Sequence, residues 1–135
     1  MRVFLDANVL FSASNADSNI AQLVDWLSER GTGVSSDLAV EEARRNLALK
    51  RPRWLGEFAR VQTILEIVPS ASFALPVALA AQDAPLLCSA VVAKCDYFVT
   101  GDRRDFGHLY GRSLMGVEVI SLLRLAELLA AKRRR

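Results

Sequence analysis

Histidine is almost missing from this chain. Its one copy, His108, stands in the loop Gly107-His108-Leu109-Tyr110-Gly111. A Ser-His-Asp or Cys-His catalytic system would have to be built on that residue, and a surface histidine is the simpler reading. Cysteine is nearly as scarce. Cys88 and Cys95 lie seven apart in an apolar stretch, which is neither a metal-ligand nor a redox spacing. They read as small buried hydrophobes in a reducing compartment. No apolar, uncharged run reaches the ~18 residues that a transmembrane helix needs, and the stretch from Ile67 to Ala81 is broken by Pro69 and Pro76. The opening Met1-Arg2-Val3-Phe4-Leu5-Asp6 meets a charge before any long apolar region develops, unlike a signal peptide. A cytoplasmic protein without membrane contact is expected. A P-loop, a GxGxxG fingerprint, internal repeats and low-complexity linkers are all missing. One domain over residues 1–135 is expected, with a basic tail over 132–135 that need not be ordered.

What is present is an ordinary globular composition: 135 residues, 52% apolar and 24% charged, enough for a real core. The net charge is only +2, so the chain as a whole is not a polybasic nucleic-acid binder. Its cations are nevertheless grouped. Arg44, Arg45, Lys50, Arg51 and Arg53 form one run, Arg103 and Arg104 a second, and Lys132 to Arg135 a third. Such patches can hold phosphates, although a single surface Arg or Lys is usually just solvated.

Compact apolar runs alternate with helical periodicity. Val3–Leu5, Gly33–Ser35, Glu66–Val68, Tyr97–Thr100 and Val117–Ile120 read as strands. Asn8, Ser12, Ser14 and Asn15 mark loop or helix-start chemistry. Ile20, Leu23, Val24 and Leu27 predict a helix stopped by Gly31 and Gly33. Ser36 or Asp37 caps the next helix, and Pro52 breaks it or starts another. Residues 74–81 are expected to be helical, with Pro76 in the first turn. Asp83 is expected to cap a helix from Ala84 to about Lys94, and Ser121 a final one. The alternation predicts an α/β fold: a three-layer α/β/α sandwich with a central parallel sheet of about five strands, covered on both faces.

With the usual nucleophilic systems missing, the chemistry falls to carboxylates. Asp6 follows the first strand, and ligands of parallel sheets bind beyond the carboxyl ends of strands; equally, it could cap the next helix. Asp102 follows Thr100-Gly101, where the glycine would allow a tight turn or close approach, and Asp105 could share its pocket. Turn chemistry is the competing explanation for both. Asp83 taken alone is more readily a cap than a ligand. Glu41 and Glu42 diverge by about 100° on a helix, so only one of them can face a pocket. Gathered together, such acids would suit Mg²⁺ or Mn²⁺, which prefer oxygen ligands.

The order of these acids resembles the PIN domain, a family of metal-dependent nucleases, over nearly the whole chain. Three stretches carry the resemblance: Phe4-Leu5-Asp6-Ala7-Asn8-Val9-Leu10 with Ser12-Ala13; Ser36 to Leu47; and Asp83-Ala84-Pro85 through Thr100-Gly101-Asp102 to Asp105-Phe106. Ala7, where many members have Thr, is a mild departure. The resemblance implies a metal held by Asp6, Glu42, Asp83 and Asp102, with Asp105 as accessory ligand. Glu42 matches the family position better than Glu41. Asn8, Ser12 and Thr100 would orient carboxylates or water, and Asp96 would be structural. Metal-activated water would cut RNA, leaving a 3′-hydroxyl and a 5′-phosphate. Arg44, Arg45, Arg103 and Arg104 are candidates for holding the RNA backbone.

Many compact members resemble VapC-like toxin ribonucleases, which dimerise and are silenced by an antitoxin. Two rival readings stand beside this one. The first is a non-catalytic RNA- or antitoxin-binding module on the same fold. The second is a haloacid dehalogenase-type phosphatase, which would want an Asp where Asn8 stands.

Overall fold

The computed structural model describes residues 1–133, and the side chains of the basic run 132–135 lie outside the described residues. Five parallel strands form the sheet: β1 (Arg2–Leu5), β2 (Thr32–Ser36), β3 (Glu66–Val68), β4 (Tyr97–Val99) and β6 (Val117–Ile120). A short strand, β5 (Ser113–Leu114), adds to β6 as an antiparallel edge, giving the order β3-β2-β1-β4-β6-β5. The sheet therefore has six strands rather than about five. The extra one is a two-residue hairpin arm turned by Met115 and Gly116, both at positive φ, too short to show as a periodic run.

The helices are α1 (Ala7–Ala13), α2 (Asn19–Arg30), α3 (Asp37–Lys50), α4 (Leu55–Thr63), α5 (Ala84–Val92), α6 (Arg103–Phe106) and α7 (Leu122–Arg133). Together they build the three-layer α/β/α arrangement. Val3, Phe4 and Leu5 are all fully buried although alternate residues face opposite sides, so both faces of β1 are covered. Phe4 pairs in register with Phe98, and their rings stack at 5.4 Å. Phe98 in turn meets Phe106 at 5.1 Å. Among the described residues no helix is long and apolar enough to cross a membrane. Cys88 and Cys95 are buried free thiols.

Most boundaries follow local chemistry. Ser18, Ser36 and Ser121 each accept a backbone N–H at the start of α2, α3 and α7. Pro52 opens a 3-10 turn ahead of α4. Lys94, at φ 56°, ends the run after α5 two residues sooner than expected.

One open reading is decided and one expectation fails. Where Asn8, Ser12, Ser14 and Asn15 marked loop or helix-start chemistry, residues Ala7–Ala13 form a full helix capped by Asp6. Residues 74–81 are not helical. Leu75, Val77 and Leu79 are half-buried against the core while Ala74, Pro76, Ala78 and Ala80 are exposed. That is the two-residue period of extended chain, and Pro76 disfavours helix at Leu75.

Candidate metal centre

The strand order reverses at β1. The chain leaves β1 for β2 and β3 on one side and returns to β4 on the other, which opens a crevice at the carboxyl ends of β1 and β4. Asp6 and Asp102 stand on its two lips. The register Leu5↔Val99, extended by the Asp6 N–H to Val99 carbonyl bond at 3.1 Å, brings Asp6 level with Thr100.

Asp6 is buried and fully engaged. Its Oδ1 accepts from Ala7 N–H at 2.7 Å. Its Oδ2 accepts from the Thr100 hydroxyl at 2.8 Å and from the Asn8 amide at 3.1 Å. The helix-cap role and a place in the acidic cluster thus coexist. Thr100, fully buried, also accepts from Asp102 N–H at 3.0 Å. Asn8 takes the Gly101 N–H on its Oδ1 at 3.0 Å. Thr100 and Asn8 therefore tie the ends of β1 and β4 together through side chains. Gly101 is not needed for a left-handed turn, and a Cβ there would meet Asn8 only at an ordinary 3.5 Å. The tight approach expected of it is not what holds the site.

Asp83 behaves in the opposite way. It precedes α5, but its side chain makes no capping bond, and its buried Oδ2 has no hydrogen-bond partner among the described residues. The cap expected here does not form, because Asp83 itself has helical dihedrals, with φ −94° and ψ −33°, whereas a capping residue is normally extended. Asp102, by contrast, does cap: its Oδ1 accepts from Asp105 N–H at 3.1 Å. Glu42 lines a cleft of about 310 Å³ with Asn8, Phe11, Ser12, Asn46, Lys50 and Asp102. Glu41 faces outward and holds Arg44 and, more loosely, Arg45. Ser12 borders the cleft one helical turn beyond Asn8.

The electrostatics follow from this crowding. Burial pushes the Asp6 carboxyl up from 3.8 to about 6, against its bonds from Thr100 and Ala7, and the charges of Glu42 and Asp102 push the same way. Asp83 rises to about 7, first through burial, then through its carboxyl contact with Asp105, then through the charges of Asp105, Asp6 and Asp102. Among the described residues, none of Asp6, Glu42, Asp83, Asp102 or Asp105 pairs with a Lys or Arg. Nor does any group of three acidic, His or Cys side chains stand close enough, as placed, to hold one ion. Asp6 is drawn toward Ala7 and Thr100, and Asp83 toward Asp105. The donor set is nonetheless all oxygen, unpaired and mutually repelling, which fits a hard divalent cation.

Arg103 and Arg104 are exposed on α6 just past Asp102, and Arg44 and Arg45 sit on the outer face of α3. His108 is exposed. Asp96 lies at the far end of the sheet, where its carboxylate accepts from Arg2 N–H at 2.8 Å. Asn46 and Tyr110 escaped the sequence reading as neighbours of the site, and Lys50 was read only as part of a basic run. Asn46 and Lys50 follow Glu42 at successive four-residue steps, a spacing that could have flagged them. The Tyr110 hydroxyl donates to the Thr100 carbonyl at 2.9 Å, a contact with no sequence signal.

No family model matches the chain, and no curated protein matches it. The fold is similar to that of a chain in the crystal structure of VapBC2 from Rickettsia felis bound to a DNA fragment from their promoter. The TM-score is 0.65 at 14% identity, covering 90% of this chain and 98% of that one.

Proposed function

We propose that this protein is a Mg²⁺- or Mn²⁺-dependent endoribonuclease of the PIN type, acting as the toxin of a toxin–antitoxin pair in the cytoplasm. One observation carries the proposal. At the switch point of a parallel sheet Asp6 feels the charges of Glu42 and Asp102, and Asp83 those of Asp6 and Asp102, with no cationic partner among the described residues, and Asp83 keeps a buried oxygen free. The likeness of fold to a VapBC2 chain supports the toxin reading and an antitoxin partner, and a homodimer is proposed with it from the family resemblance alone.

Asp6, Glu42, Asp83 and Asp102 would hold the metal, with Asp105 beside Asp83. When bound, the ion supplies a more acidic water and neutralises charge developing on the phosphate. The chain's own part is positioning. Thr100 and Asn8 fix the orientation of the Asp6 carboxylate through its Oδ2, and Asp102 is steadied by the N–H of Asp105. Asn8 donates to Asp6 where a phosphatase of the haloacid dehalogenase type would need a general acid, so that alternative lacks its proton donor.

The test is cleavage of end-labelled single-stranded RNA by purified protein. Activity with Mn²⁺ or Mg²⁺ that disappears in EDTA and in Asp6→Asn is expected. Cleavage surviving either change would sink the mechanism. Metal binding without cleavage of any RNA would favour the non-catalytic module instead.

A further inference from the structure

The basic run after Glu42 is not used by the carboxylate site, yet it is continuous with it. Glu42, Asn46 and Lys50 follow one another at four-residue steps along α3, so they share a face. All three line the cleft that also contains Phe11 and Asp102. At 1.5 Å per residue the stripe is about 12 Å long, roughly three nucleotides at the 3.4 Å stacked spacing of a strand.

Lys50 belongs to a second cavity as well, formed with Arg51, Pro52, Arg53 and Trp54. There α3 ends and the chain turns. Among the described residues Lys50, Arg51 and Arg53 form no ion pair, in contrast with Arg44, which is committed to Glu41 at 2.6 Å. The Lys50 charge also complements the carboxyl end of α3, but Arg53 lies beyond that end. The Arg51 guanidinium sits 5.6 Å over the half-buried Trp54 ring. Trp54 in turn meets Phe11 edge-on at 5.7 Å, and Phe11 is part of the cleft wall.

We infer that the α3 stripe and the Lys50–Trp54 turn form one track for single-stranded RNA leaving the carboxylate site. Lys50, Arg51 and Arg53 hold phosphates, and the Arg51–Trp54 layer supplies a stacking surface for a base. The inference rests on the nuclease reading for the identity of the strand and adds where that strand runs. Unpaired cations beside an aromatic are what a flexible strand needs: charge for its backbone and a flat face for its bases. A duplex, its bases already stacked, gains nothing from the aromatic.

The experiment is fluorescence anisotropy with a labelled 12-nucleotide RNA and the full chain in EDTA, where binding is read without cleavage. Lys50→Gln/Arg51→Gln is expected to bind about tenfold more weakly. Its log–log salt slope should flatten by about 1.4, two single-strand phosphate contacts. In Trp26→Phe, Trp54 is the only indole, and its emission should be quenched by the strand.

Unchanged affinity and salt slope in the double variant would overturn the track. Duplex RNA binding as tightly as the single strand, or Trp54 emission indifferent to RNA, would overturn the stacking role. Binding confined to a DNA strand of the same sequence would overturn the assignment to RNA. Failure of the track leaves metal-dependent cleavage by the wild-type chain intact. Failure of that cleavage, with binding and quenching preserved, removes the nuclease reading alone.

Discussion

At the end of the sheet where the parallel strands begin, acids have partners. The Glu66 carboxylate meets the Arg2 guanidinium, and Asp96 accepts the Arg2 backbone N–H. At the end where the same strands finish, among the described residues Asp6 accepts only neutral donors and Asp83 leaves an oxygen unpartnered. Residue type and sheet are shared; the partner differs. Where a cation or an outward-facing N–H is available, an acid stabilises the fold. Where burial and other acids surround it, the folded state is strained until something positive arrives, and that is a property of a site rather than of a scaffold.

The largest test exchanges one acid at each end. Asp6→Asn is expected to lower RNA cleavage by about 10³-fold or more, because under the proposed function it removes a metal ligand worth several kcal/mol. Asp96→Asn should keep activity and lower the melting temperature. If Asp96→Asn abolished cleavage while Asp6→Asn did not, the contrast between the two ends would be wrong.

A pH series sharpens the same contrast. The folded-state value of Asp6 lies above its ordinary one, so between 3.8 and about 6 the native protein holds a proton that the unfolded chain has released. Stability without metal therefore falls as pH rises through that window, by roughly 3 kcal/mol once Asp6 is ionised. Denaturant unfolding in EDTA at pH 5 and pH 8 reads the part of that loss lying above pH 5, about 1.4 kcal/mol, and Mn²⁺ should flatten the slope. Equal stability at the two pH values in EDTA would contradict the strained cluster.

Removing the Thr100 hydroxyl takes one donor from Asp6 and the acceptor from Asp102 N–H. Thr100→Val should cost about 1–3 kcal/mol in chemical denaturation and about 10–100-fold in cleavage. The smallest effect belongs to Glu41, exposed and paired with Arg44. Glu41→Gln should leave stability almost unchanged, because its ion pair is solvent-screened, and keep activity, whereas Glu42→Gln should lose most of it. Reversed results for these neighbours would place the wrong glutamate in the cleft.

The elements with strong periodicity were legible. β1, α2, α3, β4, β6 and α7 stand where apolar spacing and serine caps put them. Helix α1 was obscured because Asn8, Ser12, Ser14 and Asn15 favour turns locally, whereas burial of Val9 and Leu10 against the core supplies the tertiary energy that overrides them. Residues 74–81 misled in the other direction. Alanine-rich composition reads as helix, but the large residues repeat every second position, and the core takes them in extended form.

The candidate acids were each visible as single residues, and their order carried the family resemblance. By itself, then, the sequence determined the fold class, because alternating strand and helix periods admit few other ways of burying apolar surface. It also determined which carboxylates were available at strand and helix ends. Only the tertiary structure decided which of them cap helices and which stay unsatisfied. Asp6 turned out to cap and Asp83 did not, because a capping bond depends on the dihedrals and neighbours that packing imposes. Glu42 rather than Glu41 lines the cleft for a similar reason: the rotation of α3 about its axis is set by Ala39, Ala43 and Leu47 going into the core.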